Sequence, residues 1–169
     1  MTIDDLLAQA EIRQVLYRYC RGIDRGDAAI VASVYHPDAI DDHGSFLGLG
    51  RDFPADVIPR MDRAGVVGQH HITNELMEID GNKAKVESYF MALNPEGDKA
   101  AGTGKLLFVY GRYLDRFEKR DGVWLIAHRK VIIDYVDVEG GGRTWERAHV
   151  FTWGERRDAD ASAAFFTEE

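Results

Sequence analysis

The sequence predicts an α+β fold in which helices come first and antiparallel strands follow. Apolar residues recur at helical spacing in the first part of the chain, up to about Gly65. After Gly65, apolar and polar residues alternate in segments bounded by turn signals such as Asp80-Gly81-Asn82. Helices followed by a run of strands favour an arrangement in which the helices pack on one face of the sheet.

The first helix is predicted to begin after Thr2, a suitable N-cap that is followed by Asp4 and Asp5 in the first turn. We expect the helix to end at Gly22 or Gly26. Its buried face would be formed by apolar residues at helical spacing, namely Ile12, Leu16, Tyr19 and Ile23.

Two shorter helices and one extended segment are predicted next. A helix over residues 28–35 would stop before Pro37, because a proline disfavours helical backbone in the residue before it. Residues 40–47 are expected to be extended. A third helix over residues 55–64 would be weakened by Pro59, which cannot donate a backbone hydrogen bond.

Long strands are then predicted to pair as hairpins, over residues 66–79, 84–93, 106–117 and 123–138. No repeat or change in composition marks a second domain. We therefore predict one domain over residues 1–138 and a C-terminal extension over residues 139–169 that packs on the same domain. Within the extension, residues 140–143 are predicted to be a flexible joint and residues 159–169 a tail.

Composition restricts the classes of function. The formal net charge is −8, and no Lys/Arg cluster is long enough to follow a phosphate backbone, which argues against nucleic-acid binding. The single cysteine, Cys20, cannot form an intramolecular disulfide. The acidic N-terminus lacks the order of a signal peptide, and no apolar stretch approaches bilayer length. We therefore expect a cytoplasmic protein with no membrane partner.

Asp24 and His70 are the first candidates for a catalytic pair. A carboxylate that orients an imidazole and stabilises its protonated form allows the other ring nitrogen to take a proton from a substrate. Strand alternation would place His70, Ile72 and Asn74 on one face and His71 on the other. On composition alone, however, Asp24 is typical of a solvated carboxylate at a helix end.

Short motifs around these residues match known enzymes. The spacing Tyr19-x-x-x-x-Asp24 resembles that of a bile-acid 7α-dehydratase, Gln69-His70 resembles scytalone dehydratase, and His70-x-x-Thr73-Asn74 resembles lindane dehydrochlorinase. From about Ile3 to Val138 the chain therefore resembles the SnoaL-like family of the nuclear-transport-factor-two-like superfamily. The resemblance implies a cone, in which a strongly curved antiparallel sheet wraps around N-terminal helices and encloses an internal apolar pocket.

The resemblance also implies roles for particular residues. His70 would be the catalytic base, with Asp24 as its partner and Tyr19 as a further catalytic residue. Residues implied to contact the substrate are His43, Tyr113, Arg129 and Asn94. His43 stands where the family's dehydratases carry a tyrosine, and Asn94 where scytalone dehydratase has a second histidine. These departures leave the substrate open.

Two questions stay open from the residues themselves. Helical spacing puts Tyr17 and Cys20, rather than Tyr19, on the face of Asp24, unless Gly22 ends the helix first. The run Asp41-Asp42-His43 could bind a divalent ion together with another histidine, although no metal-binding motif supports this alternative. We predict no metal.

The implied function is a cofactor-independent lyase, acting as a dehydratase on a small hydroxylated apolar substrate that is aromatic, polyketide-like or steroid-like. Retro-aldol release of an aldehyde, isomerisation and polyketide cyclisation are alternatives on the same scaffold. A non-catalytic ligand-binding or assembly module is the alternative from another class. Because a cone leaves the outer face of its sheet in need of cover, a homo-oligomer is expected, either a trimer or a dimer.

Overall fold

The computed structural model describes residues 2–65, 68–138, 148–153 and 161–167. Helices come first and a curled sheet follows, so the prediction of an α+β cone is confirmed. The helices are α1 (Ile3–Arg25), α2 (Ala28–Ala32), α3 (Phe53–Ala64) and α4 (Ala161–Thr167). The strands are β1 (Tyr35–Asp42), β2 (Leu47–Leu49), β3 (Gln69–Asp80), β4 (Lys83–Glu96), β5 (Lys105–Arg120), β6 (Val123–Val138) and β7 (Thr152–Trp153).

Helix α1 begins and ends through local chemistry. The Thr2 hydroxyl accepts a hydrogen bond from the Asp5 N–H at 3.1 Å, and the Asp5 carboxylate accepts one from the Thr2 N–H at 2.6 Å. This capping box satisfies two N–H groups that the helix itself cannot. The helix continues through Gly22 and ends at Gly26, whose φ of 64° suits glycine. Asp24 therefore lies in the last turn of α1.

The prediction of a helix over residues 28–35 is wrong at its C-terminal end. Helix α2 ends at Ala32, and Tyr35 already begins β1, where it is buried and pairs with Ile126 of β6. Pairing in the sheet overrides the local helical spacing. The register between β1 and β6 shifts around Pro37, a residue that has no N–H to donate to a neighbouring strand.

The predicted extended segment over residues 40–47 is interrupted by a turn. Strand β1 ends at Asp42, β2 begins at Leu47, and His43 lies in the turn, where its N–H donates to the Phe46 carbonyl at 2.8 Å. Helix α3 begins at Phe53, two residues before the predicted start, and it continues through Pro59.

The sheet has the strand order β2-β1-β6-β5-β4-β3, and β7 pairs with β6. Strands β3 to β6 pair antiparallel in sequence order, as predicted. Strand β1 is different, because it runs parallel to β6 instead of continuing the antiparallel pattern. This pairing brings the turn after β1 next to the central strands.

Helix α1 packs inside the curve of the sheet. Its side chains Ile12, Leu16 and Tyr19 belong to one buried cluster with residues of β4, β5 and β6. Cys20 is part of the same cluster, and burial raises the pKa of its thiol to about 12, so it stays protonated. None of the helices in the described residues is long and apolar enough to cross a lipid bilayer.

Two described parts of the C-terminal extension contact the sheet. Strand β7 pairs with β6 at Ile132 and Ile133, and Phe165 of α4 is buried against Leu114 and Ile132. The predicted joint at residues 140–143 lies outside the described residues.

Candidate active site

The interior of the cone holds a cavity of about 360 Å³. Its apolar wall includes Ile23, Phe53, Val57, Phe90, Leu107 and Val109. Polar side chains reach the cavity from separate elements, and they include Tyr19, His43, His70, Asn94 and Tyr113. A volume of this size is ordinary for a site that binds a small organic molecule, and an apolar wall with a few polar groups fixes the orientation of such a ligand.

Asp24 and His70 form a hydrogen-bonded pair. Asp24 Oδ1 accepts from His70 Nδ1 at 2.7 Å, and Asp24 Oδ2 accepts from the His70 backbone N–H at 3.0 Å. The Asp24 side chain is 11% exposed and the His70 side chain 7%, so water competes weakly for these bonds. Because an ionised carboxylate only accepts hydrogen bonds, the neutral ring carries its proton on Nδ1 and keeps a lone pair on Nε2.

Asp24 and Tyr19 lie on different faces of α1. Tyr19 lines the cavity, whereas Asp24 borders a separate depression together with Tyr17 and Cys20. Helical spacing therefore predicts these faces correctly, and Gly22 does not end the helix. His70 borders both spaces, so it connects the carboxylate to the cavity.

Strand β3 presents His70 and not His71 to the interior. His70 and Ile72 are partly buried, and His71 is exposed. The prediction that Asn74 shares the face of His70 is wrong, because the register between β3 and β4 shifts between Ile72 and Glu75 and leaves Asn74 exposed. A bulge of this kind reverses the alternation beyond it.

A second Asp–His pair borders the same cavity. His43 contacts Asp41 through Nδ1 and the Tyr19 hydroxyl through Nε2, the latter at 3.1 Å. Asp41 is fully buried and also accepts a hydrogen bond from the Tyr35 hydroxyl. Burial alone would raise the pKa of Asp41, but the charge and hydrogen bond of His43, with help from Arg129, lower it below its ordinary value.

Asp41 and Tyr35 are site residues that sequence reasoning missed. The run Asp41-Asp42-His43 suggested a metal site, although residues two apart on an extended chain lie on the same side of it. The two-residue spacing could therefore have predicted the contact between Asp41 and His43. Asp42 instead accepts a hydrogen bond from the Gly44 N–H at 3.1 Å.

Arg129 lies behind the cavity wall and not in it. It is the cross-strand partner of Asp115, and Nε and Nη2 donate to the two carboxylate oxygens at 2.8 and 2.7 Å. Both side chains are fully buried. The guanidinium carbon also lies 4.2 Å from the ring centre of Tyr19 and 4.0 Å from that of Tyr113. Arg129, which was predicted to contact the substrate, therefore packs against the rings of Tyr19 and Tyr113 on the side away from the cavity.

Tyr19 and Tyr113 are neutral polar groups of the cavity. Burial, only partly opposed by Arg129, raises the pKa of both phenols well above the ordinary value. Tyr113 stacks on Phe90 with ring centres 4.4 Å apart. Both hydroxyls can therefore donate hydrogen bonds, and neither is suited to act as a resting base.

Asn94, for which the resemblance implied a substrate contact, lines the cavity from β4. In the described part of the chain, no three or more His, Cys, Asp or Glu side chains are grouped in a way that could hold a metal ion. Asp41 and His43, two of the metal ligands suggested by the sequence, are hydrogen-bonded to each other.

A cone-shaped α+β domain with an apolar cavity and a partly buried Asp–His pair defines a class of protein, and comparison of the sequence with a family model agrees with that class. The model of the SnoaL-like domain family matches residues 4–130. The chain therefore belongs to the SnoaL-like family, within the nuclear-transport-factor-two-like superfamily. A search of curated proteins finds no match.

Solved structures share the fold at low sequence identity. The hexachlorocyclohexane dehydrochlorinase LinA-type3 from Novosphingobium barchaimii LL02 is 21% identical, with a TM-score of 0.69 over 85% of this chain and 97% of that chain. A candidate scytalone dehydratase from Novosphingobium aromaticivorans DSM 12444 is 20% identical, with a TM-score of 0.69 over 81% and 91%. A protein of unknown function from Mycobacterium tuberculosis is 28% identical, with a TM-score of 0.64 over 77% and 78%.

Proposed function

We propose that this protein is a cofactor-independent lyase that removes water from a small, hydroxylated, mostly apolar molecule. The observation that carries the proposal is the 2.7 Å contact between Asp24 and His70, with His70 in the wall of an apolar cavity. Family membership supports it, as does the likeness to structures named as a dehydrochlorinase and a candidate dehydratase.

In this proposal His70 is the general base. Nε2 takes a proton from a carbon that a neighbouring carbonyl or arene makes acidic, and Asp24 stabilises the imidazolium that results. Tyr19, His43, Tyr113 and Asn94 are the polar groups positioned for the oxygen atoms of the substrate. Arg129 acts indirectly, because it holds the rings of Tyr19 and Tyr113.

The cavity indicates the class of substrate. Its apolar wall suits an aromatic, polyketide-like or steroid-like skeleton. Its polar side chains, which also include Arg60, Arg63 and Glu96, suit a molecule that carries oxygen substituents. The same base could start a retro-aldol cleavage, a double-bond shift or a ring closure, and these remain the alternative reactions. A binding module without catalysis would not require a carboxylate that orients the histidine of its pocket.

The proposal is tested by incubating the protein with a panel of hydroxylated aromatic and alicyclic ketones and detecting loss of one water molecule by mass spectrometry. For any substrate found, the variants His70→Gln and His71→Gln form a matched pair, since the residues are neighbours on opposite faces of β3. We expect His70→Gln to lower kcat by roughly 10²–10⁴-fold, the usual contribution of a general base. We expect His71→Gln to retain activity. Full activity of His70→Gln would overturn the assignment of the base.

A further inference from the structure

The second Asp–His pair has the connections of a proton-transfer chain. Asp41 contacts Nδ1 of His43, and Nε2 of His43 lies 3.1 Å from the hydroxyl oxygen of Tyr19. This series of hydrogen bonds starts at the fully buried carboxylate of Asp41, and both His43 and Tyr19 border the cavity. The His43 ring is fixed further by stacking on Phe53, with ring centres 4.0 Å apart.

The direction of the His43–Tyr19 hydrogen bond depends on a single proton. If Nε2 carries no proton, Tyr19 donates to it and presents only lone pairs to the cavity. If Nε2 carries a proton, it donates to the Tyr19 oxygen, and the Tyr19 O–H is free to donate into the cavity. In both cases Nδ1 carries a proton, because it faces the carboxylate of Asp41.

The buried charges around Asp41, His43 and Tyr19 favour the arrangement in which Nε2 of His43 donates to the Tyr19 oxygen. Arg129 donates to both oxygens of Asp115, the geometry of an ionised carboxylate, and Asp41 is a second buried carboxylate that the same guanidinium stabilises. Two carboxylates and one guanidinium leave one negative charge uncompensated. A proton held between His43 Nε2 and the Tyr19 oxygen lies where it offsets this charge, and buried charges are costly unless they are balanced.

We propose that Asp41, His43 and Tyr19 form a second proton-transfer unit, which protonates the oxygen atom that leaves the substrate. This inference rests on the proposed elimination and assigns its acid. His70 takes the proton from carbon, the C–H electron pair forms the double bond, and the C–O bond breaks. The leaving oxygen takes the Tyr19 proton and departs as water, while Tyr19 takes the proton of His43 Nε2. Solvent then removes the proton from His70 and returns one to His43.

Each member has a distinct role in this unit. Tyr19 contacts the leaving group, and because burial raises the pKa of its phenol, it gives up a proton only when His43 replaces it. Asp41 is a positioning residue, which orients His43 and stabilises its protonated form. The two pairs therefore divide the reaction, with His70 as base and His43 as the source of the acid's proton.

The first test reads the protons directly and needs no substrate. The full chain is labelled with 15N-histidine, and two-bond 1H–15N spectra are recorded at neutral pH, with His43 assigned from the spectrum of His43→Gln. We expect both ring nitrogens of His43 to be protonated, and Asp41→Asn to remove this state while Asp42→Asn retains it. An unprotonated Nε2 on His43 in the native protein would overturn the proposal.

The second test varies the leaving group on one carbon skeleton. β-Hydroxypropiophenone and β-chloropropiophenone give the same enone, but only hydroxide needs a proton to leave. We expect Tyr19→Phe and Asp41→Asn to slow loss of water by roughly 10²–10⁴-fold and to change loss of chloride little. His70→Gln should slow both reactions. If Tyr19→Phe slows loss of water and loss of chloride equally, the proposed Asp41–His43–Tyr19 unit is wrong. If His70→Gln changes neither rate, the assignment of His70 as the base is wrong.

Discussion

At the scale of single residues, Arg129 is held by Asp115 on one side and by the rings of Tyr19 and Tyr113 on the other. Replacing Arg129 with Met leaves the Asp115 carboxylate buried without its partner, which we expect to lower the free energy of unfolding by about 3–5 kcal/mol. The double variant Arg129→Met/Asp115→Leu removes both charges, and it should regain most of the loss. Urea unfolding measures all of these values.

The exposed ion pair between Arg60 and Asp56 on α3 is the control for this prediction. Arg60→Ala should cost at most about 1 kcal/mol, since partly exposed pairs are weakened by water and salt. A single Arg129→Met variant as stable as the double variant would contradict the account of the buried pair.

Sequence reasoning was most useful for residues that carry a motif. The two motifs that contain His70 select it over His71, and the structure places only His70 at the cavity. It was least useful where a role depends on a partner far away in the chain. The resemblance implied that Arg129 contacts substrate, and nothing in the sequence shows that Asp115, across the hairpin, neutralises it. Asp41 was missed for a related reason, since its burial arises from the pairing of β1 with β6.

At the scale of elements, the approach of β5 to its neighbours depends on Gly111. A Cβ at this position would lie 2.2 Å from the Ile132 carbonyl oxygen and 2.9 Å from the Phe90 ring. We expect Gly111→Ala to destabilise the fold by about 1–3 kcal/mol, the usual cost of overpacking. It should also weaken ligand binding, because Phe90 stacks on Tyr113 in the cavity wall.

Gly104→Ala is the control in the same urea experiment. Its Cβ would meet its nearest neighbour at 3.6 Å, an ordinary contact. Equal stability of the two glycine variants would show that the close packing of β5 against β4 and β6 is not required.

The existence and order of α1 to α3 and of β3 to β6 followed from periodicity and turn signals, but several of their boundaries did not. Helix α4 lies where a tail was predicted, and β7 was not predicted. The hairpin turn at Asp80-Gly81-Asn82 was predicted from the sequence, because Gly81 readily adopts the positive φ that the turn requires. The end of α2 and the bulge in β3 could not be predicted in this way, because both are set by pairing with other strands. Local spacing contains no information on such pairing.

At the scale of the whole molecule, the cavity is assembled from distant parts of the chain. Tyr19, His43, His70 and Tyr113 come from α1, the turn after β1, β3 and β5. Periodicity cannot predict that these residues meet, and the family resemblance supplied that expectation. The substrate could not be read at all, because it depends on the shape of the assembled cavity.

The outer face of the sheet is the reason to expect a homo-oligomer. Met91, Tyr110 and Tyr135 are cross-strand neighbours on β4, β5 and β6, and Met91 and Tyr135 are 44% and 41% exposed. Light scattering should give a dimer or trimer of the 19.0 kDa chain. Met91→Glu/Tyr135→Glu should dissociate it, whereas Val123→Glu, at the exposed start of β6, should not. A native monomer at all concentrations would contradict this expectation.

The central claim, that His70 paired with Asp24 removes a proton from carbon, is tested most directly by deuterium exchange. Propiophenone is incubated with the protein in D₂O, and loss of its α-proton signal is followed by NMR, which requires no leaving group. The native protein and His71→Gln should accelerate exchange, and His70→Gln should be slower by roughly 10²–10⁴-fold. Exchange by His70→Gln at the native rate, or no acceleration by the native protein, would contradict the claim.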